Sequence, residues 1–314
     1  MKNDPHIMIN IGLSAAWQRA REIIWRHRRA LLAVWFLTSL VSSLAYVALY
    51  PPWAEADAVT VGSFRHAVYV VTTSLVGAAG FVFVVLLTRA EIGLARDRAD
   101  DRVNNRADDF SSADATAEDS AEGEASDADK TLTQRVAGSG ARWDYGALLD
   151  ESVQRLARYV GTAVLCLLRV MLWGLMALPV VMLAGLLGVD GSGAGGILLS
   201  LPATVLMILA FMRFGWGLFF TVLNDESALY AMYHGQSLYL NNRGAAWAMA
   251  LIAFLVPSVL PFLDAHDVAG LGRYLHPAAY VASAWTYVTT VFVAVVLLSS
   301  SAGDADPADP TRPE

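Results

Sequence analysis

From Ala67 to Thr88 the chain passes twenty-two residues without a charge, AVYVVTTSLVGAAGFVFVVLLT, and Arg89 ends the run. Crossing about 30 Å of hydrocarbon at 1.5 Å per helical residue takes about 20 predominantly apolar residues. This stretch therefore reads as a membrane-spanning helix. Five more segments read the same way: Ala30–Tyr50, stopped by Pro51 and Pro52; Tyr159–Leu187; Ile197–Phe220; Ala245–Leu263, interrupted by Pro257 and Pro261; and Ala278–Ser299.

Composition agrees. Of 314 residues, 56% are hydrophobic and 16% charged, where a soluble domain carries about 25% charge. The mean hydropathy is +0.46. The fold class expected is an all-α polytopic membrane protein with six spans. Lys and Arg set its direction, because basic loops stay on the cytoplasmic side. Nineteen of the 22 fall in residues 1–29, 89–158, 213–243 and the C-terminal tail; two, Arg65 and Arg273, fall in the opposite loops. Both termini are thus expected in the cytoplasm, with the protein in the cell membrane. The first apolar run has no small-residue cleavage site after it, so no cleavable signal is expected.

Residues 97–141 change character, and twelve of the 29 acids lie between Asp97 and Asp129. A segment so poor in apolar bulk cannot offset its ordering entropy and is expected to be a disordered cytoplasmic loop, either a plain linker or a docking tail for a basic partner. Three stretches have the spacing of amphipathic interfacial helices: Asn10–Arg26, Asp144–Arg158 and Asp225–Leu240. In the third, Leu229, Met232, Tyr233, Gln236 and Leu240 share the apolar face, and Asn224 is the expected N-cap. The organisation expected is 1–29, an N-terminal amphipathic helix; 30–96, spans one and two; 97–141, the acidic loop; 142–220, an interfacial helix with spans three and four; 221–300, an interfacial helix with spans five and six; and 301–314, a disordered tail. The chain then reads as three helix-pair units.

Arg169 is the one charge well inside a span. Such a residue faces a bundle interior, a cavity or a partner, and no Asp or Glu is central in any span to pair with it. It binds a lipid headgroup or an anionic substrate, or else span three starts near Val170 and Arg169 snorkels to the boundary. Arg213, beside Phe211, Phe214 and Trp216, has the same two readings, with lipid phosphate as the ligand. His66, Asp264, His266, Asp267 and His276 collect on the outer side as a metal-ligand set without a known spacing; solvation alone also accounts for them. His234 reads as an exposed interfacial histidine and Cys166 as a buried bystander. Residues 191–196, GSGAGG, fit a phosphate-loop pattern, but between two spans they read as a flexible hairpin. No nucleotide-binding, zinc-protease or serine-hydrolase motif occurs, so neither a cofactor nor catalysis is expected. The acidic balance excludes nucleic acid as a partner.

From Phe219 to Val256 the chain runs FFTVLNDESALYAMYHGQSLYLNNRG and on into span five. This stretch resembles the membrane-domain superfamily found with glycerophosphodiester phosphodiesterases. There an acidic residue opens a short surface helix after a span, and a Ser and a basic-Gly step lead into the next. Glu226, Ser237 and Arg243-Gly244 are the matching positions. The resemblance implies a six-span helical protein; the phosphodiesterase domain is missing, so its catalysis is not implied. The layout of a surface helix and six spans also looks like the permease subunit of ABC exporters, which implies a cytoplasmic ATPase partner. The leading expectation is a non-enzymatic protein that organises membrane lipids or a membrane complex; the alternative is that permease.

Overall fold

A computed structural model of the chain describes residues 9, 11–49, 64–111, 143–186, 193–255 and 272–301, and every regular element among them is a helix. In chain order these are α1 (Leu13–Arg26), α2 (Arg28–Leu49), α3 (Phe64–Ser111), α4 (Tyr145–Leu175), α5 (Leu178–Leu186), α6 (Gly193–Phe214), α7 (Gly217–Leu223), α8 (Ala228–Asn241), α9 (Arg243–Ala250) and α10 (Gly272–Ser301). A π-helical turn, Leu251–Leu255, continues α9. Four stretches are long and apolar enough to cross a membrane: Arg28–Ala45, Ala67–Ala95, Tyr145–Val180 and Pro202–Leu223. Arg243–Ala253 and Ala284–Ser299 are apolar but shorter among the described residues.

The core forms where α3 and α10 meet the other helices. Val82 to Leu87 and Val291 to Leu297 are buried throughout. Burial on every side requires apolar residues at every position, and these two runs, without a charge, meet that demand. Trp17 of α1 sets its ring edge-on against Phe292 of α10 at 5.3 Å. Gly80 of α3 lets Tyr287 of α10 pass, since a Cβ there would stand 2.5 Å from the phenol oxygen. That phenol then donates to Thr38 of α2 at 3.1 Å. Gly217 of α7 and Gly235 of α8 cross backbone on backbone: a Cβ on Gly235 would lie 2.5 Å from the Gly217 nitrogen. Outside this core, α2 exposes Leu32, Phe36, Leu40 and Leu44, and α4 exposes Leu167, Leu168, Met171 and Leu172. Contiguous rows of this kind are surface that hydrocarbon accepts and water does not.

Several expectations are corrected. Helix α3 does not end near Arg89 but runs to Ser111, so residues 97–111 of the acidic loop are helical. Residues 94–111 contain no Gly or Pro, and Arg96/Asp100 and Arg106/Asp109 have helix-supporting spacing. The rest of the loop, 112–142, lies outside the described residues, as do 302–314 of the tail. The second interfacial helix and span three are one helix, α4, because nothing between Leu156 and Thr162 breaks it; Gly161 has open space around it. Its N-cap is Asp144, whose carboxylate accepts from the Gly146 and Ala147 N–H groups at 2.9 and 3.1 Å. Span three instead breaks at Met176–Ala177, ahead of Pro179, where the last bonds tighten to i→i+3. Span four turns at Gly215–Trp216 between α6 and α7. Gly193 to Gly196, read as hairpin, already belong to α6. The expected fifth span is described to Leu255 only.

The third amphipathic helix starts at Ala228 after Ser227, while Asn224 closes α7. Asp225 takes a left-handed backbone, φ 55°, which Asp tolerates better than most residues. Its packed face is made mostly of other, smaller residues than the expected lipid-facing set. Ala231, Met232, His234, Gly235 and Leu238 turn inward, and Leu229, Tyr233 and Leu240 turn out. The small residues win because only they permit the Gly217–Gly235 crossing.

Candidate functional site

Helices α1 and α2 are separated by one residue, His27. Its N–H still bonds to Ile23 and its carbonyl accepts from Leu31, so the chain pivots without losing its ladder. This elbow presents Arg26, Arg28 and Arg29 around a histidine that is 1% exposed. The His27 Nε2 lies 3.1 Å from Glu91 Oε2 of α3, and Nδ1 lies 3.2 Å from the Tyr145 hydroxyl of α4. Trp143 closes on the imidazole edge-on at 4.5 Å. Burial, and then the adjacent Arg26 guanidinium, push the His27 pKa down to about 4. The ring is therefore neutral at neutral pH. A neutral imidazole has one N–H; the carboxylate can only accept, so Nε2 donates to Glu91 and Nδ1 accepts from Tyr145. Glu91, 6% exposed, also forms an ion pair with Arg26.

Beside the elbow is a cavity of about 800 Å³. It is lined by Arg26, Arg28, Arg29 and Tyr145 together with Ala33, Val34, Leu37, Phe83 and Leu149. Glu91 neutralises Arg26. Arg28 lies over the Trp25 ring at 4.3 Å, and neither it nor Arg29 has a carboxylate partner among the described residues. A lining that combines guanidinium groups with apolar side chains suits an anionic headgroup with its acyl chain. Nothing in the sequence reading singled this place out. Its signal was local and faint: a histidine within the run WRHRR, and one acid, Glu91, just past a span.

Arg169 and Arg213, 44 positions apart in sequence, come together. The Arg169 guanidinium lies 5.1 Å from the centre of the Phe214 ring. That of Arg213 lies 5.6 Å from the same ring and 5.7 Å from Trp173. Phe214 belongs to a small apolar cluster with Cys166, Ala210 and Met232. Among the described residues neither arginine forms an ion pair, and the buried Arg213 Nε has no hydrogen-bond partner. Of the outer metal-ligand set, Asp264, His266 and Asp267 lie outside the described residues. His66 and His276 fall in α3 and α10, but their side chains lie outside what is described. Among the described residues no three His, Cys, Asp or Glu side chains gather into a metal-binding group.

His234 is buried, not exposed. Its Nδ1 lies 2.9 Å from Glu226 Oε1, which also accepts from Asn224 Nδ2 at 2.8 Å. Alongside, Arg158 pairs with Asp225 at 2.5 Å, and Arg155 donates to the Val222 carbonyl at 2.7 Å while pairing with Glu151. These bonds pin the α7–α8 connection to α4. Of the positions flagged by resemblance, Glu226 is thus part of this lock, Ser237 lies 3.4 Å from the Asn241 amide on α8, and Arg243 opens α9.

Comparison of the chain with protein-family models, with curated proteins and with solved structures finds no match in any of the three.

Proposed function

We propose that the protein is a non-enzymatic integral membrane protein of six spans, arranged in three helix-pair units with both termini in the cytoplasm, that organises membrane lipid by holding anionic lipid at the α1–α2 elbow. The cavity is the observation that carries this reading, because its lining combines two arginines lacking a carboxylate with aliphatic and aromatic side chains. The cytoplasmic excess of Lys and Arg puts that rim at the leaflet where anionic lipid attracts basic groups. The test is native mass spectrometry of protein released from nanodiscs holding equal phosphatidylglycerol and phosphatidylcholine. Phosphatidylglycerol is expected to be retained preferentially, and Arg28→Gln with Arg29→Gln to lower its retention at least tenfold. Equal retention of the two lipids, or no effect of the double substitution, overturns the reading.

A second reading, a permease working with a separate cytoplasmic ATPase, draws on the π-turn Leu251–Leu255 ahead of Pro257. Such irregularities recur at functional positions in helices. An ATPase that purifies with the chain in stoichiometric amount would establish it; gentle purification without one counts against it.

A further inference from the structure

We propose that Arg169 and Arg213 form a second anion site, separate from the elbow, that takes the oxyanion group of a long-chain membrane amphiphile. The inference rests on the membrane setting of the proposed function but on neither the elbow residues nor their lipid.

Two cations share one aromatic ring, Phe214. Each cation–π contact is a modest gain, smaller than the cost of placing an arginine at the centre of a span. Two such charges also repel each other. The Phe214 and Trp173 rings therefore leave the pair under-compensated. The usual remedy, a carboxylate on a neighbouring helix, is missing among the described residues, and Arg213 Nε is buried without a hydrogen-bond partner. Guanidinium groups bind carboxylate and phosphate through paired N–H···O bonds, so an oxyanion supplies both the charge and the acceptors this place lacks.

The route of entry selects the rest of the ligand. Leu168 and Leu172, on the same helix as Arg169, are more than half exposed and apolar. A group arriving along them comes from hydrocarbon, carrying an acyl chain that lies against this row. A free inorganic anion has the head chemistry but not the chain.

The protein in phosphatidylcholine nanodiscs, labelled with a diazirine-bearing fatty acid and mapped by peptide mass spectrometry, tests this directly. The label is expected within Cys166–Trp173 or Ala210–Phe214, displaced by excess oleate and not by inorganic phosphate. Arg169→Gln with Arg213→Gln is expected to reduce it at least tenfold, while a label competed from the elbow by phosphatidylglycerol stays. Labelling spread evenly over the exposed apolar rows, or unchanged in the double variant, overturns the site. Displacement by phosphate as effective as by oleate overturns the amphiphile as its ligand. Should the double variant fail to fold, the wild-type map and its two competitors decide alone.

Discussion

Two places in this molecule gather arginine next to aromatic rings, and they differ in one residue type. At the elbow Glu91 takes Arg26 and His27, and both imidazole nitrogens are bonded. At Phe214 two arginines meet with no acid among the described residues. The first arrangement, in its Arg26–Glu91–His27 part, balances charge from within the chain and holds three helices together, while Arg28 and Arg29 are left for lipid. The second leaves charge over, and a bundle with charge left over in an apolar setting calls for an anion from outside. The presence of a counter-charge, more than the presence of arginine, separates a clamp from a binding site.

The largest effect that bears on this contrast comes from Glu91→Ala. It leaves the buried His27 nitrogen without an acceptor and Arg26 without its partner. Removing one member of a buried pair costs about 3–5 kcal/mol; Arg26 is half exposed and recovers water, so a loss near about 3 kcal/mol is expected in thermal unfolding in neutral detergent. Glu91→Gln, which keeps an acceptor for His27, is expected to cost about 1 kcal/mol. Equal losses for the two would mean that charge, not the hydrogen bond, holds the elbow.

Acid is the next lever. The folded-state pKa of His27, about 4, lies below its ordinary value of 6.5. The unfolded chain therefore binds a proton between pH 6.5 and 4 that the folded chain refuses. The neutral ring's contribution is fully present above pH 6.5 and is lost as the pH falls toward 4, on the order of 3 kcal/mol. An unfolding midpoint that falls over this window in wild type but stays level in His27→Asn would confirm the assignment. Parallel declines in both would place the titration elsewhere.

Much of the architecture could be read from apolar runs alone. Helices α2 and α3 start at Arg28 and Phe64, within three residues of the expected Ala30 and Ala67, because length and hydropathy are local properties. The continuation of α3 through Ser111 was missed because acidity was read as disorder, although alternating charge without Gly or Pro also supports helix. The packed face of α8 was not legible because apolar spacing marks the face offered to lipid, whereas the close backbone crossing depends on Gly235. The sites were harder. Arg169 and Arg213 each stood out as a charge against an apolar background, but their meeting on Phe214 is a long-range contact. His27 and Glu91 are 64 residues apart, and no periodicity links them.

The most direct test of the contrast is the unfolding midpoint of the purified protein in neutral detergent, titrated with oleate. A ligand that binds only the folded state adds RT ln(1 + [L]/Kd), about 2.7 kcal/mol at a hundredfold excess over Kd. The midpoint of the wild type is expected to rise with oleate. That of Arg169→Gln with Arg213→Gln is expected to start at or above the wild-type value and to rise markedly less with oleate, the remainder coming from the elbow, while Glu91→Gln starts lower and rises in parallel with wild type. A double variant that starts well below wild type and gains as much from oleate would contradict the account, since the two arginines would then be part of the scaffold and not a site awaiting its anion.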